Sequence, residues 1–167
     1  MKQTDNPLTF WIRNAERKDV PLILDFIRKL GDYERLSHEV VAREEDLEQY
    51  LFGDQPVAEV LIGYEGDLPV GFALFFHNFS TFLGKPGIYL EDLFVLESHR
   101  NKGYGKKFLA RLAALAVERD CGRLEWAVLD WNEPSIQFYK SLGARLMNEW
   151  IINRLTGEDL LKLSAMV

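Results

Sequence analysis

Two adjacent carboxylates, Glu91 and Asp92, sit inside an otherwise apolar run, Tyr89–Leu96. Neighbouring residues of a strand face opposite sides. Leu90, Phe94 and Leu96 would share one side, and Leu93 and Val95 the other. One carboxylate therefore points into an apolar face unless a bulge relieves it. A buried carboxylate without a partner is costly, so the pair must meet a cation or line a wet cleft. Such a pair can bind a cationic amine, or deprotonate one through water.

A second constellation follows at once: Arg100-Asn101-Lys102-Gly103-Tyr104-Gly105, then Lys106 and Lys107. Backbone N–H groups at a helix start, aided by the helix dipole, make an anion site. Glycine lets the backbone approach a diphosphate closely. The chain has neither GxxxxGK[ST] nor GxGxxG, so this is no Walker loop and no dinucleotide fingerprint. A plain loop-to-helix junction carries the same residue types. The third constellation is Asn132, Ser135 and Tyr139, spaced i, i+3, i+7 on one helix face. A tyrosine hydroxyl, with a pKa near ~10, is protonated at neutral pH and can protonate a departing thiolate. Packing by Phe138 and Tyr139 is the other reading.

The elements that must position these residues can be read in order. Leu8–Asn14 alternates as a strand. Asp19 caps a helix with Pro21 in its first turn, and Gly31 ends it. A charged helix covers Arg43–Phe52. Val57–Tyr64 and Val70–Phe79 form a hairpin around Gly66. Ser80–Gly87 reads as a loop, and Tyr89–Leu96 as a strand. A helix runs from Gly105 to Arg119, and a strand over Arg123–Leu129. A short helix covers Asn132–Leu142, capped by Asn132 and ended by Gly143. Ala144–Met147 and Trp150–Leu155 read as closing strands, and Gly157–Leu163 as a last helix. This order predicts an α/β fold over residues 1–167 as one domain. Its sheet would be mixed, mostly antiparallel, of about six to seven strands, with helices on both faces.

The bulk composition narrows the class. At 167 residues, 47% hydrophobic and 28% charged, the chain can bury a real core. A net charge of −6 argues against a nucleic-acid partner held by phosphate neutralisation. No run is long and apolar enough for a membrane span. The single cysteine, Cys121, excludes an internal disulfide and reads as a packing residue. With no secretory leader pattern, a cytoplasmic location is expected. His38, His77 and His99 are too scattered for a metal site. The aromatic run Phe72–Phe79 reads as core or subunit interface.

YLEDLFVLESHRNKGYGKKFL followed by WNEPSIQFYKSLGA resembles the GNAT N-acetyltransferase superfamily, and within it the diamine (spermidine/spermine) acetyltransferase family. The resemblance spans roughly Trp11 to Leu163. It implies the GNAT fold, acetyl-CoA as cosubstrate without a metal, a small cationic amine as acceptor, and a homodimer. It implies cofactor contacts from Leu93, Phe94 and Val95, from Arg100, Asn101, Lys102, Gly103, Tyr104, Gly105 and Lys106, and from Asn132 and Ser135. Tyr139 would contact the cofactor and act as the general acid. Glu91 would be amine ligand or water-relayed base. Tyr33, Glu34, Asp92, Glu125, Trp126 and Ala127 would line the acceptor. The acceptor side departs from the family: Asp32 replaces a lysine before Tyr33-Glu34, and only Glu149 remains of an acidic stretch after Gly143. A polyamine, a lysine-like amino acid such as thialysine, or a peptide amine all fit this reading. So does a non-catalytic acetyl-CoA sensor.

Overall fold

The computed structural model describes residues 9–167. Leu8, read as the start of the first strand, lies outside them. Two compact units are formed, one ending at Ala127 and the other Val128–Val167.

The first unit is a five-stranded sheet in the order β1-β2-β3-β4-β5. Its strands are β1 (Phe10–Asn14), β2 (Glu59–Glu65), β3 (Leu68–Ser80), β4 (Lys85–Val95) and β5 (Leu124–Trp126). Neighbours from β1 to β4 are antiparallel, and β4–β5 is parallel. The helices are α1 (Val20–Glu34), α2 (Glu44–Phe52) and α3 (Tyr104–Glu118).

Helices cover both faces of the sheet, as expected. On one face Ile23, Phe26 and Leu30 of α1 and Leu51 of α2 pack with Val60, Ile62, Phe72 and Phe94. Each such side chain contributes about 1.5–3 kcal/mol of burial. Gly63, next to Ile62, faces the other way. A Cβ there would lie 2.6 Å from Phe108 of α3 and 2.8 Å from Phe10, so the glycine makes room for those rings.

Several expected boundaries shift. Gly31 does not end α1, which runs on to Glu34 and stops at Arg35 in the left-handed region. A Cβ at Gly31 would sit 2.7 Å from Val40 Cγ2, so this glycine serves packing rather than termination. Asp19 precedes α1 but does not cap it; its carboxylate accepts from Arg13 and from the Glu16 N–H. The expected loop at Ser80–Gly87 shrinks to a turn over 81–84, because β3 and β4 stay paired up to Ser80 and Lys85, with Asn78 against Gly87 and Phe79 against Pro86. A Cβ at Gly87 would meet Asn78 Oδ1 at 2.4 Å, so it too marks close packing.

The second unit contains α4 (Glu133–Ser141) and α5 (Gly157–Ser164). Asn132 caps α4, its side chain accepting from the Ser135 N–H, and Gly143 follows with φ 89°. Ala144–Met147 and Trp150–Leu155 form no strands. Among the described residues, five strands therefore replace the six to seven expected. Apolar alternation supplies a strand's side chains, but a strand also needs a partner for its N–H and C=O groups. Among the described residues, these segments pair with no strand; the Ala144 and Trp150 N–H groups bond only locally, to Tyr139 O and Met147 O.

Candidate active site

β4 carries a bulge at the carboxylate pair. Leu74 pairs with Asp92 and Phe75 with Leu90, leaving Glu91 as the extra residue. The bulge resolves the conflict seen in the sequence. Leu90 and Phe94 would share a face in a regular strand; with one extra residue they bury on opposite faces. Glu91 is exposed, and Asp92 turns toward the α1 face as a half-buried group.

No cation or hydrogen-bond donor meets Asp92 among the described residues. Burial, then the charges of Glu91 and Glu34, push its carboxyl up to about 6. Glu34, in the last turn of α1, is also pushed up by burial. Tyr89 is raised by burial and by Glu91 and Glu125. Three carboxylates thus gather with no positive charge among them, an arrangement that favours an incoming cation.

Glu125 belongs to a different local network. Its carboxylate accepts from Asn78 Nδ2 at 2.7 Å and lies 2.8 Å from Arg123 Nε. Trp126 pairs with Leu90 in register, and Ala127 is exposed just beyond β5.

β5 pairs only with Ile88–Leu90, so β4 beyond Leu90 has no β5 partner. The Leu96 N–H donates to Val70 O on β3 at 2.8 Å. By alternation, Leu93 and Val95 turn their backbone groups to the opposite, unpaired edge. The Val95 carbonyl there accepts from Arg100 Nε at 3.0 Å. Phe94 instead pairs with Phe72 of β3 and buries its ring under α1.

The glycine-containing turn opens directly into α3. Asn101 and Gly103 adopt φ of 62° and 80°, and Gly103 is the residue before the first helical turn. The first bond of α3 runs from the Lys107 N–H to Gly103 O. The N–H groups of Tyr104, Gly105 and Lys106 precede it and have no acceptor within the helix. A Cβ at Gly105 would meet nothing within 4 Å. The protein's own packing therefore gives no reason for glycine there, whereas a ligand approaching the backbone does. These residues fit a diphosphate.

The Lys102 and Tyr104 side chains of the turn are engaged with β2. Lys102 Nζ lies 2.9 Å from both oxygens of Glu65, and the Tyr104 hydroxyl donates to the same carboxylate. Tyr104 also stacks on Phe10 at 4.1 Å, and Glu65 pushes its hydroxyl up to about 12. Lys102 and Tyr104 thus anchor the turn to β2 with their side chains and offer a ligand mainly their backbone. Glu65 was absent from the candidates read in the sequence. It stands 37 residues from Lys102, and only the fold brings them together. Lys106 and Asn101 are exposed.

In the second unit, Ser135 and Asn132 are joined by the capping bond, 3.4 Å long. Tyr139 lies one turn further on, half-buried, its ring 5.4 Å from that of Phe138. Among the described residues, no three His, Cys, Asp or Glu side chains, the carboxylates near Asp92 included, are placed to hold a metal ion, and no helix is long and apolar enough to cross a membrane.

The model of the acetyltransferase (GNAT) family matches residues 24–144. The chain belongs to the GNAT acetyltransferase family. It is an acetyl-transferring enzyme, and its mixed sheet with helices on both faces is the GNAT fold. The family uses acetyl-CoA as cosubstrate. The chain is 34% identical to an L-ornithine N5-acetyltransferase of Arabidopsis thaliana, over 89% of this chain and 85% of that protein. It is 36% identical to the thialysine N-epsilon-acetyltransferase of Mus musculus, over 92% and 96%. Among solved structures, an integron cassette protein of V. cholerae superposes with a TM-score of 0.78 at 30% identity, covering 93% of this chain and 97% of that one. A metagenomic aminoglycoside acetyltransferase, at 18% identity and TM-score 0.73, shares the fold.

Proposed function

We propose that this acetyltransferase moves the acetyl group of acetyl-CoA directly to the primary amine of a small cationic acceptor, of ornithine, thialysine or polyamine type. The observation that carries the reading is the gathering of Asp92, Glu91 and Glu34 with no cation among them. An acceptor amine would supply the missing charge. Relatives named for ornithine and thialysine, similar over nearly their whole length, support the same class.

In this reading the acyl donor lies along the unpaired edge of β4, with its diphosphate at the start of α3. The amide groups of Tyr104, Gly105 and Lys106 hold the phosphates. The Val95 and Leu93 amides on the open edge serve the pantetheine arm, and one of them stabilises the developing oxyanion. Asn132 and Ser135 contact the thioester end. Glu91, exposed at the bulge, takes the amine proton through water, while Asp92 and Glu34 hold the cationic acceptor. Tyr33, Glu125, Trp126 and Ala127 complete the acceptor wall. The amine attacks the thioester carbonyl, and Tyr139 gives its proton to the leaving thiolate.

We further propose that residues 1–167 act as one catalytic domain, that the enzyme is a homodimer, and that it works in the cytoplasm. Coenzyme A release across a panel of ornithine, thialysine, lysine, putrescine, spermidine and a lysine-containing peptide tests the acceptor. Turnover is expected with the free amines. Turnover with the peptide alone would overturn the small-amine reading.

A further inference from the structure

Arg100 stands in the turn that leads to α3, yet its side chain does not lie over that turn. Its Cζ sits 4.1 Å from the centre of the Tyr33 ring and 5.7 Å from that of Phe94. Its Nε donates to Val95 O at 3.0 Å. Tyr33 is in the last turn of α1, beside Glu34. One guanidinium therefore touches the end of α1, the open edge of β4 and, through its own backbone, the turn before α3. Planar stacking on an aromatic ring and a fixed fork of donors are properties of arginine that lysine lacks.

We infer that the Tyr33–Arg100 stack is a positioning contact that couples the acceptor side to acetyl-CoA binding. The inference rests on the functional reading above. Tyr33 spends one ring face on Arg100, so it is not simply an amine ligand. By holding the guanidinium, it fixes the turn whose backbone meets the phosphates. Arg100 in turn covers the Val95 carbonyl, the end of the edge along which the donor lies. A residue assigned to the amine wall should therefore be felt in the affinity for the acyl donor, even with no amine present.

Calorimetric titration of the full-length protein with acetyl-CoA alone tests this. Tyr33→Ala and Tyr33→Leu are each expected to raise the acetyl-CoA dissociation constant by about fivefold, the size of a partly exposed cation–π contact. Tyr33→Phe keeps the ring face and should stay within about twofold of wild type. Arg100→Lys should weaken binding as well, and adding Tyr33→Ala to it should cost nothing further, because the two changes break one contact. Unchanged acetyl-CoA affinity in Tyr33→Ala, or additive losses in the double variant, would overturn the coupling while leaving the acetyltransferase reading intact. A wild-type protein that binds no acetyl-CoA would overturn the reading beneath it.

Discussion

Asp92 is a half-buried carboxylate with no compensating cation among the described residues. Its carboxyl rises from 3.8 to about 6 because burial, Glu91 and Glu34 all disfavour the charge. Between these values the folded protein binds the proton more tightly than the unfolded chain. Stability therefore falls as pH rises from about 4 to about 6 and stays lower above that. Asp92→Asn removes this penalty. It is expected to stabilise the protein by roughly 1–3 kcal/mol at pH 7.5 and by little at pH 4, measured by urea unfolding. The same substitution should raise the amine KM at least about tenfold, since a buried charge pair is lost. In the wild type, amine KM should climb as pH drops through about 6, and that climb should vanish in Asp92→Asn. Equal unfolding curves for both proteins at both pH values would sink the electrostatic account.

At the scale of elements, two glycines separate architecture from ligand binding. Gly71 of β3 lies so close to β4 that a Cβ would come 2.4 Å from the Phe94 carbonyl oxygen, a backbone atom that cannot step aside. Gly71→Ala should cost about 1–3 kcal/mol of stability through strain in the sheet, read as a lower melting temperature. Gly105 faces open space, and its backbone sits in the first turn of α3. Gly105→Val should leave melting nearly unchanged yet weaken acetyl-CoA binding at least about tenfold, because the side chain occupies the phosphate approach. A Gly105→Val protein that binds acetyl-CoA normally would place the diphosphate elsewhere. The turn itself is held by Glu65, which gathers Lys102 and Tyr104 at the start of α3.

For the whole molecule, the segment after Gly143 is the informative part. Trp150, Ile151 and Ile152 are 71%, 83% and 73% exposed, a run of large apolar side chains uncommon on a monomer surface. It carries the strand-like pattern read in the sequence but forms no strand pairing. A second copy of the chain would supply both cover and backbone partners, which supports the proposed homodimer. Sedimentation equilibrium should then give twice the 19.4 kDa chain mass. The double substitution Trp150→Glu/Ile152→Glu should return it to the single-chain mass. A wild type that sediments as one chain would remove the dimer from the proposal.

Local chemistry decided much of what could be read without coordinates. The helical stripe of α1, the Asn132 cap, the glycine turn before α3 and the last helix all follow from contacts within a few residues, and each stands near where its residues predict it. The acetyltransferase family was legible too, because its turn and strand are contiguous in the chain. Tertiary structure decided the rest. Gly31 and Gly87 look like breaks in the sequence, but distant side chains, Val40 and Asn78, explain them as close packing. The bulge at Glu91 depends on the register of β3 against β4, which no single strand specifies. The engagement of Lys102 with Glu65 and of Arg100 with Tyr33 joins residues 37 and 67 positions apart. Residue types carry the capacity for this chemistry; only the folded chain brings three carboxylates together without a cation and decides which cations are already taken.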